Sequence, residues 1–343
     1  MAVKERRTSI LLGIDAGGTK TEGRAWSLES DLHYRAVGPP SNYQGVGIEA
    51  ATAVWRDLIS DCLLELDADS PNDIAAAGLG IAGLDRPKDE ALLDSVFSSL
   101  LPVTSYELVN DAYLALRGGT SDGIGVAVVS GTGCNAMGTN GAGKRFRVGG
   151  IGPEFGDLGG APDIGQEGLR AAFRSQDDRG PQTLISAMLI ERLGLARLDD
   201  MVDYFLFDCA EEEGETELDL GLLAPLVFEA ASQDDSVAIG ILHWAGRELG
   251  LSARAVARNL FPRDESFPVI LGGSVLQKGA TPHLREALEA DLRSEFPNFH
   301  MHILHQPPVF GALRYAIDRF AASHNTKPQP LFDKLDSWFR SDE

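Results

Sequence analysis

Hydrophobic positions in this chain come in short alternating runs broken by glycine, and one arrangement of them occurs twice. Residues 10–37 (ILLGIDAGGTKTEGRAWSLESDLHYRAV) and residues 124–148 (IGVAVVSGTGCNAMGTNGAGKRFRV) each begin with an apolar β-branched run that ends in a glycine-rich turn. A second alternating run follows, and a polar turn reverses the chain into a third strand, so each copy predicts a β-hairpin extended by one strand. Asn140-Gly141 supplies the reversing turn of the second copy. After the first copy, residues 47–66 carry helical spacing through Ala50, Val54, Leu58 and Cys62. Residues 74–81 (IAAAGLGI) predict a buried strand, residues 88–101 a helix and residues 105–110 (SYELVN) a strand, with Asp111 opening a helix that runs through Leu116. Residues 117–123 (RGGTSDG) read as a crossing into the second half. From Ala161 to Leu260 the pattern is mostly helical, and the long segment 234–260 places Val237, Ile241, Ala245, Leu249, Ala253 and Val256 on one side. A short strand at 269–272 leads into Gly273 and Ser274, and helix, strand and helix follow, ending at residues 308–322. In the tail, Leu331, Phe332, Leu335, Trp338 and Phe339 form an amphipathic pattern expected to dock on its own domain.

The two glycine turns carry the candidate chemistry. Gly17, Gly18, Gly131 and Gly133 lack a Cβ, so the backbone can turn sharply and bring its N–H groups against phosphate oxygens. Thr19, Thr21, Ser130 and Thr132 offer hydroxyl donors beside them, and Lys20 offers a positive charge. A single Gly-Gly-Thr is an ordinary turn, but two in matching hairpins, one per half, imply a nucleotide between two lobes. Asn110 and Asp111 sit where a strand ends and a helix begins, a favoured place for chemistry in α/β sheets.

Composition narrows the class. The 343 residues, 43% hydrophobic, suffice for two domains with buried cores. No apolar run approaches the roughly 20 residues that span a bilayer, and the opening MAVKERRTSI holds no leader-type apolar stretch, so a cytoplasmic location is expected. Cys62, Cys134 and Cys209 are isolated, which supports neither a disulfide framework nor a zinc site. The net charge of −21 disfavours nucleic-acid or membrane-surface partners, and the Glu211–Glu217 run reads as a solvated loop. An anionic nucleotide would then depend on local amides, Lys20 and a divalent cation acting against the global field.

The ordered motifs GIDAGGTKTE (13–22), SNYQGVG (41–47), GLGIAGLD (78–85), VNDAYLAL (109–116), VVSGTGCNAMG (128–138), GGIGPEFGDLGGA (149–161), ILGGSV (270–275) and PPVFGAL (307–313) give the chain a wider resemblance over residues 10–322. It resembles the sugar kinase, Hsp70 and actin superfamily, and within it the N-acetylglucosamine kinases of the BadF/BadG/BcrA/BcrD ATPase group. The resemblance implies an α/β fold of two ribonuclease-H-like, actin-like ATPase lobes with a nucleotide and sugar cleft between them. The first lobe would span 1–118 with a returning helix at 309–322, the second 119–308, and the tail 323–343. It also implies ATP and Mg²⁺ as cofactors and a homodimer. Asp15 through Thr21 resemble the first phosphate loop, with Asp15 near the metal, and Ser130 to Gly133 the second; Gly272, Gly273 and Ser274 correspond to the turn bordering adenosine. Asp111 aligns with the catalytic base, where phosphoryl transfer needs a positioned acceptor for the hydroxyl proton. The implied sugar contacts are Asn42, Asp111, Cys134, Asn135, Gly150, Ile151, Gly152 and Asp157. Plainer roles are open to several of these: Asp111 as a helix N-cap, Asn42 as a turn residue, Asp157 as a cap and Cys134 as a small space-filler.

The sequence departs from its relatives at Tyr43, at Cys134 where serine is common and at Leu158 where glutamate is common, and these positions bear on the identity of the sugar. The leading expectation is ATP-dependent phosphorylation of N-acetylglucosamine at its 6-hydroxyl, with glucosamine, glucose and N-acetylmuramic acid as alternatives. A second reading is an ATPase that drives a partner enzyme, but its relatives hold an iron–sulfur cluster through cysteines that here are scattered. A sugar-responsive regulator on the same fold is a third, and it would carry a DNA-binding extension, whereas residues 1–9 alone precede the first predicted strand.

Overall fold

The computed structural model describes residues 9–102, 104–202 and 219–341, so Cys209 and the acidic run 211–217 lie outside the described residues. The chain divides into two compact units, Met1–Ile124 with Leu304–Glu343, and Gly125–Ile303. In the first unit, β1 (Ile10–Ala16), β2 (Thr21–Ser27) and β3 (His33–Gly38) form an antiparallel meander, and β4 (Ile74–Ile81) and β5 (Ser105–Val109) add in parallel, giving the order β3-β2-β1-β4-β5. Alternation along β1 sends Ile10, Leu12 and Ile14 into one core, with Trp55 and Leu58 of α2 (Ile48–Glu65) and Phe97 of α3 (Pro87–Leu100). Leu11 points to the opposite core, with Phe310, Leu313 and Ile317. Because both faces of the sheet are covered, β4 reads as a continuous apolar run rather than an alternating one.

The helix α11 (Pro308–His324) lies so close to the sheet that only glycine fits beneath it. A Cβ on Gly78 would stand 2.0 Å from the Ala312 carbonyl oxygen, and one on Gly13 would stand 2.9 Å from the Leu313 nitrogen. The tail folds as α12 (Gln329–Ser341) and buries Phe332, Leu335 and Phe339 in the core beside α11. The helix opened by Asp111, α4 (Ala112–Gly119), runs three residues beyond the predicted Leu116. The reason is Arg117, whose buried guanidinium forks onto the Asp318 carboxylate (2.7 and 3.0 Å) and donates to the Thr120 carbonyl oxygen, so that the start of the predicted crossing is pinned as helix.

The second unit repeats the arrangement. Its strands β6 (Gly125–Ser130), β7 (Cys134–Thr139), β8 (Arg145–Gly149), β9 (Phe267–Gly272) and β10 (Phe299–Ile303) lie in the order β8-β7-β6-β9-β10, again a meander with two parallel strands added. The helices around this sheet are α5 (Ala161–Gln176), α6 (Ile185–Leu193), α7 (Ala224–Ser232), α8 (Ser236–Leu260), α9 (Ser274–Lys278) and α10 (His283–Arg293). Asp235 caps α8 by accepting from the Val237 and Ala238 amides. Its buried stripe starts at Ala238 and Leu242, one residue out of step with the predicted Val237 and Ile241, which are half-buried, and rejoins the prediction at Ala245. The turn after β7 is also longer than an Asn-Gly reversal. It spans 140–144, closed by the Asn140 amide on the Lys144 carbonyl oxygen, with the positive φ at Gly143. Among the described residues no helix is long and apolar enough to cross a membrane.

The close seating of α11 makes a direct prediction. Gly78→Ala forces a methyl group into the Ala312 carbonyl, and urea denaturation is expected to show a loss of about 1–3 kcal/mol, the cost of overpacking a rigid backbone contact. An unchanged midpoint would mean that the helix is free to lift.

Candidate functional site

In the first unit, the turn 17–20 joins β1 to β2 and is closed by the Gly17 amide on the Lys20 carbonyl oxygen at 3.0 Å. Neither Gly17 nor Gly18 adopts a left-handed φ, so the expected sharp glycine turn is not what these residues provide. A Cβ on Gly18 would meet nothing within 4 Å, which means that glycine here leaves the face of the turn open for close approach. Thr21 corrects the sequence reading. Its side chain is fully buried, and its hydroxyl lies 2.7 Å from the Pro39 carbonyl oxygen and 2.6 Å from Ser41 Oγ, so it holds the scaffold instead of facing a ligand. Ser41 is the hub of this support: its Oγ also accepts from Trp55 Nε1, and its amide donates to the Gly17 carbonyl oxygen. Thr19 is exposed on the turn, and Lys20 reaches back to Glu22 at 2.8 Å. Burial by itself would raise the Glu22 pKa, but hydrogen bonds from Arg35 and Lys20 hold it down at about 2.

Asp15, half-buried near the end of β1, has its pKa pushed up to about 7 by burial first, then by the charges of Asp111 and Glu22, with Lys20 opposing. Asp15 and Asp111 therefore share one electrostatic environment although they are remote in sequence. Asp111 stands at the N-cap position of α4, yet its carboxylate accepts from the adjacent Ala112 amide (3.0 Å), a donor it shares with Asn110 Oδ1 (3.1 Å). Asn110 Nδ2 in turn donates to Asp85 Oδ1 (3.1 Å), which also ties the loop after β4 to this corner. Asn42 takes the plainer role considered for it: Oδ1 accepts from the Gln44 amide and caps α1 (Tyr43–Val46), a single turn that the sequence pattern did not predict. Gln44 Nε2 donates to the Gly83 carbonyl oxygen, holding that turn against the same loop.

In the second unit, the turn 131–133 joins β6 to β7, and a Cβ on Gly133 would again meet nothing within 4 Å. Ser130 departs from expectation as Thr21 does: it is fully buried and its hydroxyl donates to the Gly159 carbonyl oxygen at 2.7 Å. Thr132 is exposed on the turn. Gly273, at φ 85°, packs on Ser130 so tightly that a Cβ would lie 2.2 Å from its carbonyl oxygen, which sets Gly272–Ser274 beside the Gly131 turn. The Ala161 amide donates to the Gly131 carbonyl oxygen, while Asp163 Oδ2 accepts from the Gly159 and Gly160 amides and fixes the start of α5 against the same turn.

A second cluster forms around β7 and β8. Asp157 Oδ2 accepts from the Ile151 amide (2.6 Å) and the Gly152 amide (2.9 Å), clamping a loop in which Gly150 and Gly152 have positive φ. The helix cap considered for Asp157 belongs to Asp163. Asn135 Oδ1 is buried with no hydrogen-bond partner among the described residues, an acceptor left open beside Gly150. Cys134 is buried, and burial together with the nearby Asp163 and Asp157 pushes its thiol up to about 12, as suits the small space-filler considered for it. Each unit thus gathers its own set, Asp15, the 17–20 turn, Asn42 and Asp111 in one, and the 131–133 turn, Gly272–Ser274, Asn135, Gly150–Gly152 and Asp157 in the other. Sequence reasoning missed Ser41, Asp85 and Asp163. The spacing of Asp163 three residues after Gly160 is a legible capping signal, whereas Ser41 and Asp85 act through partners remote in sequence.

Two α/β sheets of matching strand order, each with an open glycine turn leaving its central strand, define an actin-like ATPase fold of the kind found in sugar kinases. The chain belongs to the BadF/BadG/BcrA/BcrD ATPase family, whose model matches residues 12–316, and it shares that family's use of ATP. It is 32% identical over 319 residues to the N-acetyl-D-glucosamine kinase of Dictyostelium discoideum, covering 90% of this chain and 98% of that protein. It is 30% identical over 303 residues to the N-acetylmuramic acid/N-acetylglucosamine kinase of Clostridium acetobutylicum, covering 88% and 96%. The fold is similar to that of a solved ROK family glucokinase from Streptomyces griseus in complex with glucose and AMPPNP, at a TM-score of 0.54 and 18% identity over 90% of this chain and 98% of that one.

The Asp15 environment predicts a pH dependence. A carboxyl whose folded pKa lies above its ordinary 3.8 adds stability that is fully present at low pH and is lost as pH rises toward about 7. In urea titrations of the ligand-free protein, Asp15 is expected to contribute a decline in stability between about pH 4 and 7 that levels off above it. Asp15→Asn should flatten that part of the profile, and the same slope in both proteins would show that Asp15 does not hold a proton there.

Proposed function

We propose that this protein is an ATP-dependent kinase that transfers a phosphoryl group to the 6-hydroxyl of N-acetylglucosamine. The observation that carries the reading is the carboxylate pair Asp15 and Asp111, coupled electrostatically beside an open glycine turn. Asp111, whose helix-capping duty is shared by Asn110, accepts the hydroxyl proton as the sugar oxygen attacks. In the first unit the phosphate donors are the remaining amides of the Gly18–Lys20 stretch with the Thr19 hydroxyl; in the second they are the amides at Thr132 and Gly133 with the Thr132 hydroxyl, and Gly272–Ser274 border the adenosine. Mg²⁺ takes one or two carboxylates and completes its shell with nucleotide oxygens and water, and the Asp15 carboxyl, beside the open turn, suits it. Asp15 would hold that ion, and its chemistry there is to neutralise charge on the phosphates.

The sugar is met by Asn135, Asp157 and the backbone of Gly150, Ile151 and Gly152. The open Oδ1 of Asn135 suits a hydroxyl or acetamido N–H, and Asp157 keeps Oδ1 for a hydroxyl while Oδ2 clamps the loop. Asn42 serves from its capped turn. N-acetylmuramic acid is a second substrate reading, favoured by the similarity to the Clostridium acetobutylicum kinase. A partner-driving ATPase with a cysteine-held cluster is disfavoured because Cys62 and Cys134 are both buried. A cytoplasmic homodimer completes the proposal.

A coupled ADP-release assay with Mg-ATP against N-acetylglucosamine, glucosamine, glucose and N-acetylmuramic acid tests it. Strong stimulation by N-acetylglucosamine is expected, and Asp111→Asn should lower turnover by about 100-fold or more while nucleotide affinity is retained. ADP release indifferent to every sugar would point to the partner-driving ATPase instead.

A further inference from the structure

The second unit carries a recess of about 450 Å³ that the proposed reaction does not use. Three arginines, Arg170, Arg174 and Arg179, line it together with Glu167, over a half-buried apolar floor of Val237 and Ile241. This grouping of cationic residues occurs on a chain whose net charge is −21. Arg170 pairs with Glu167, and Arg179 with Asp177 at 2.7 Å, but both pairs are exposed and screened by water, so a bound dianion can replace the carboxylates. Arg174 adds a third positive charge, which also acts on the Asp177 carboxylate. The wall bearing Arg179 is built in place: the Gly180 amide donates to the Arg174 carbonyl oxygen at 2.9 Å and folds residues 177–180 back on the end of α5. The floor also explains why Val237 and Ile241 leave the buried stripe of α8, since their side chains face this recess.

We propose that the recess binds a small phosphomonoester, its phosphate among the three arginines and its carbon skeleton on Val237 and Ile241. The volume lies within the range of small-ligand sites. One guanidinium fork saturates a planar carboxylate, whereas three forks suit the tetrahedral dianion of a phosphate ester. The site is separate from the Gly131 turn of the same unit. Ala161 begins α5 at the Gly131 turn, and Arg174 lies 13 residues further along the same helix, about 20 Å at 1.5 Å per residue.

Calorimetric titration of the full-length protein with glycerol 3-phosphate, with a non-hydrolysable ATP analogue and N-acetylglucosamine present to occupy the turns, tests the proposal. The expected results are binding near a millimolar Kd, a loss of about tenfold or more in Arg174→Gln and in Arg179→Gln, and markedly weaker binding of malonate. Both arginines are exposed, so unchanged melting temperatures will show that the variants fold. Because the readout is heat of binding and not turnover, failure of the kinase reading leaves this test intact. Absence of heat, equal affinity in the variants, or malonate binding as tightly as the phosphate ester would each overturn the assignment.

Discussion

Parallel pairing of β1 with β4, and of β4 with β5, brings three strand ends to one edge of the first sheet: Ala16 lies opposite Ile81, and Gly80 opposite Val109. The glycine turn, the loop holding Asp85, and the Asn110-Asp111 corner all leave the sheet there, and this register brings the Asp111 charge to bear on Asp15. The second sheet uses the same constraint. Val129 lies opposite Gly272 in the parallel pair of β6 and β9, so the Ser130–Gly133 turn and the Gly272–Ser274 turn emerge together. A parallel sheet must be covered on both faces, and that requirement explains the apolar run in β4 and the helix α11 seated on the glycines of β1 and β4.

The turns combine rigidity with openness by dividing the two tasks between residue types. Hydroxyls that look like ligand donors, Thr21 and Ser130, are buried and bonded to carbonyl oxygens behind the turns. Gly18 and Gly133 in front leave space that no side chain enters. Each turn therefore keeps an open face on a backbone whose direction is fixed by the strands, while the side chains behind it hold it in place. Electrostatics follow the same division. Glu22 is held ionised by Arg35 and Lys20, while Asp15, buried and facing the charges of Asp111 and Glu22 that Lys20 only partly offsets, retains a proton to about neutral pH.

Much of the fold was legible because its signals are local. Alternation gave the strands of both hairpins, helical spacing gave α2 and α3, and the tail pattern through Phe332, Leu335 and Phe339 gave a helix that does bury those residues. The errors have particular causes. Arg117 ends its helix late because its partner Asp318 is 201 residues away, and Val237 and Ile241 left the core stripe because a recess, not the core, takes their side chains.

The sequence by itself determined the doubled hairpin pattern, the place of the two glycine turns, and the candidate carboxylates, since these depend on local patterning and side-chain chemistry that each residue carries with it. Only the tertiary structure decided which hydroxyls face inward, that Asn42 caps a turn, that Asp157 clamps a loop while Asp163 caps a helix, and that Asp15 feels Asp111. Hydrogen-bond partners and dielectric surroundings are properties of neighbours in space, and the residues concerned, Ser41 with Thr21 and Trp55 or Asn110 with Asp85, come together only when the strands are laid side by side.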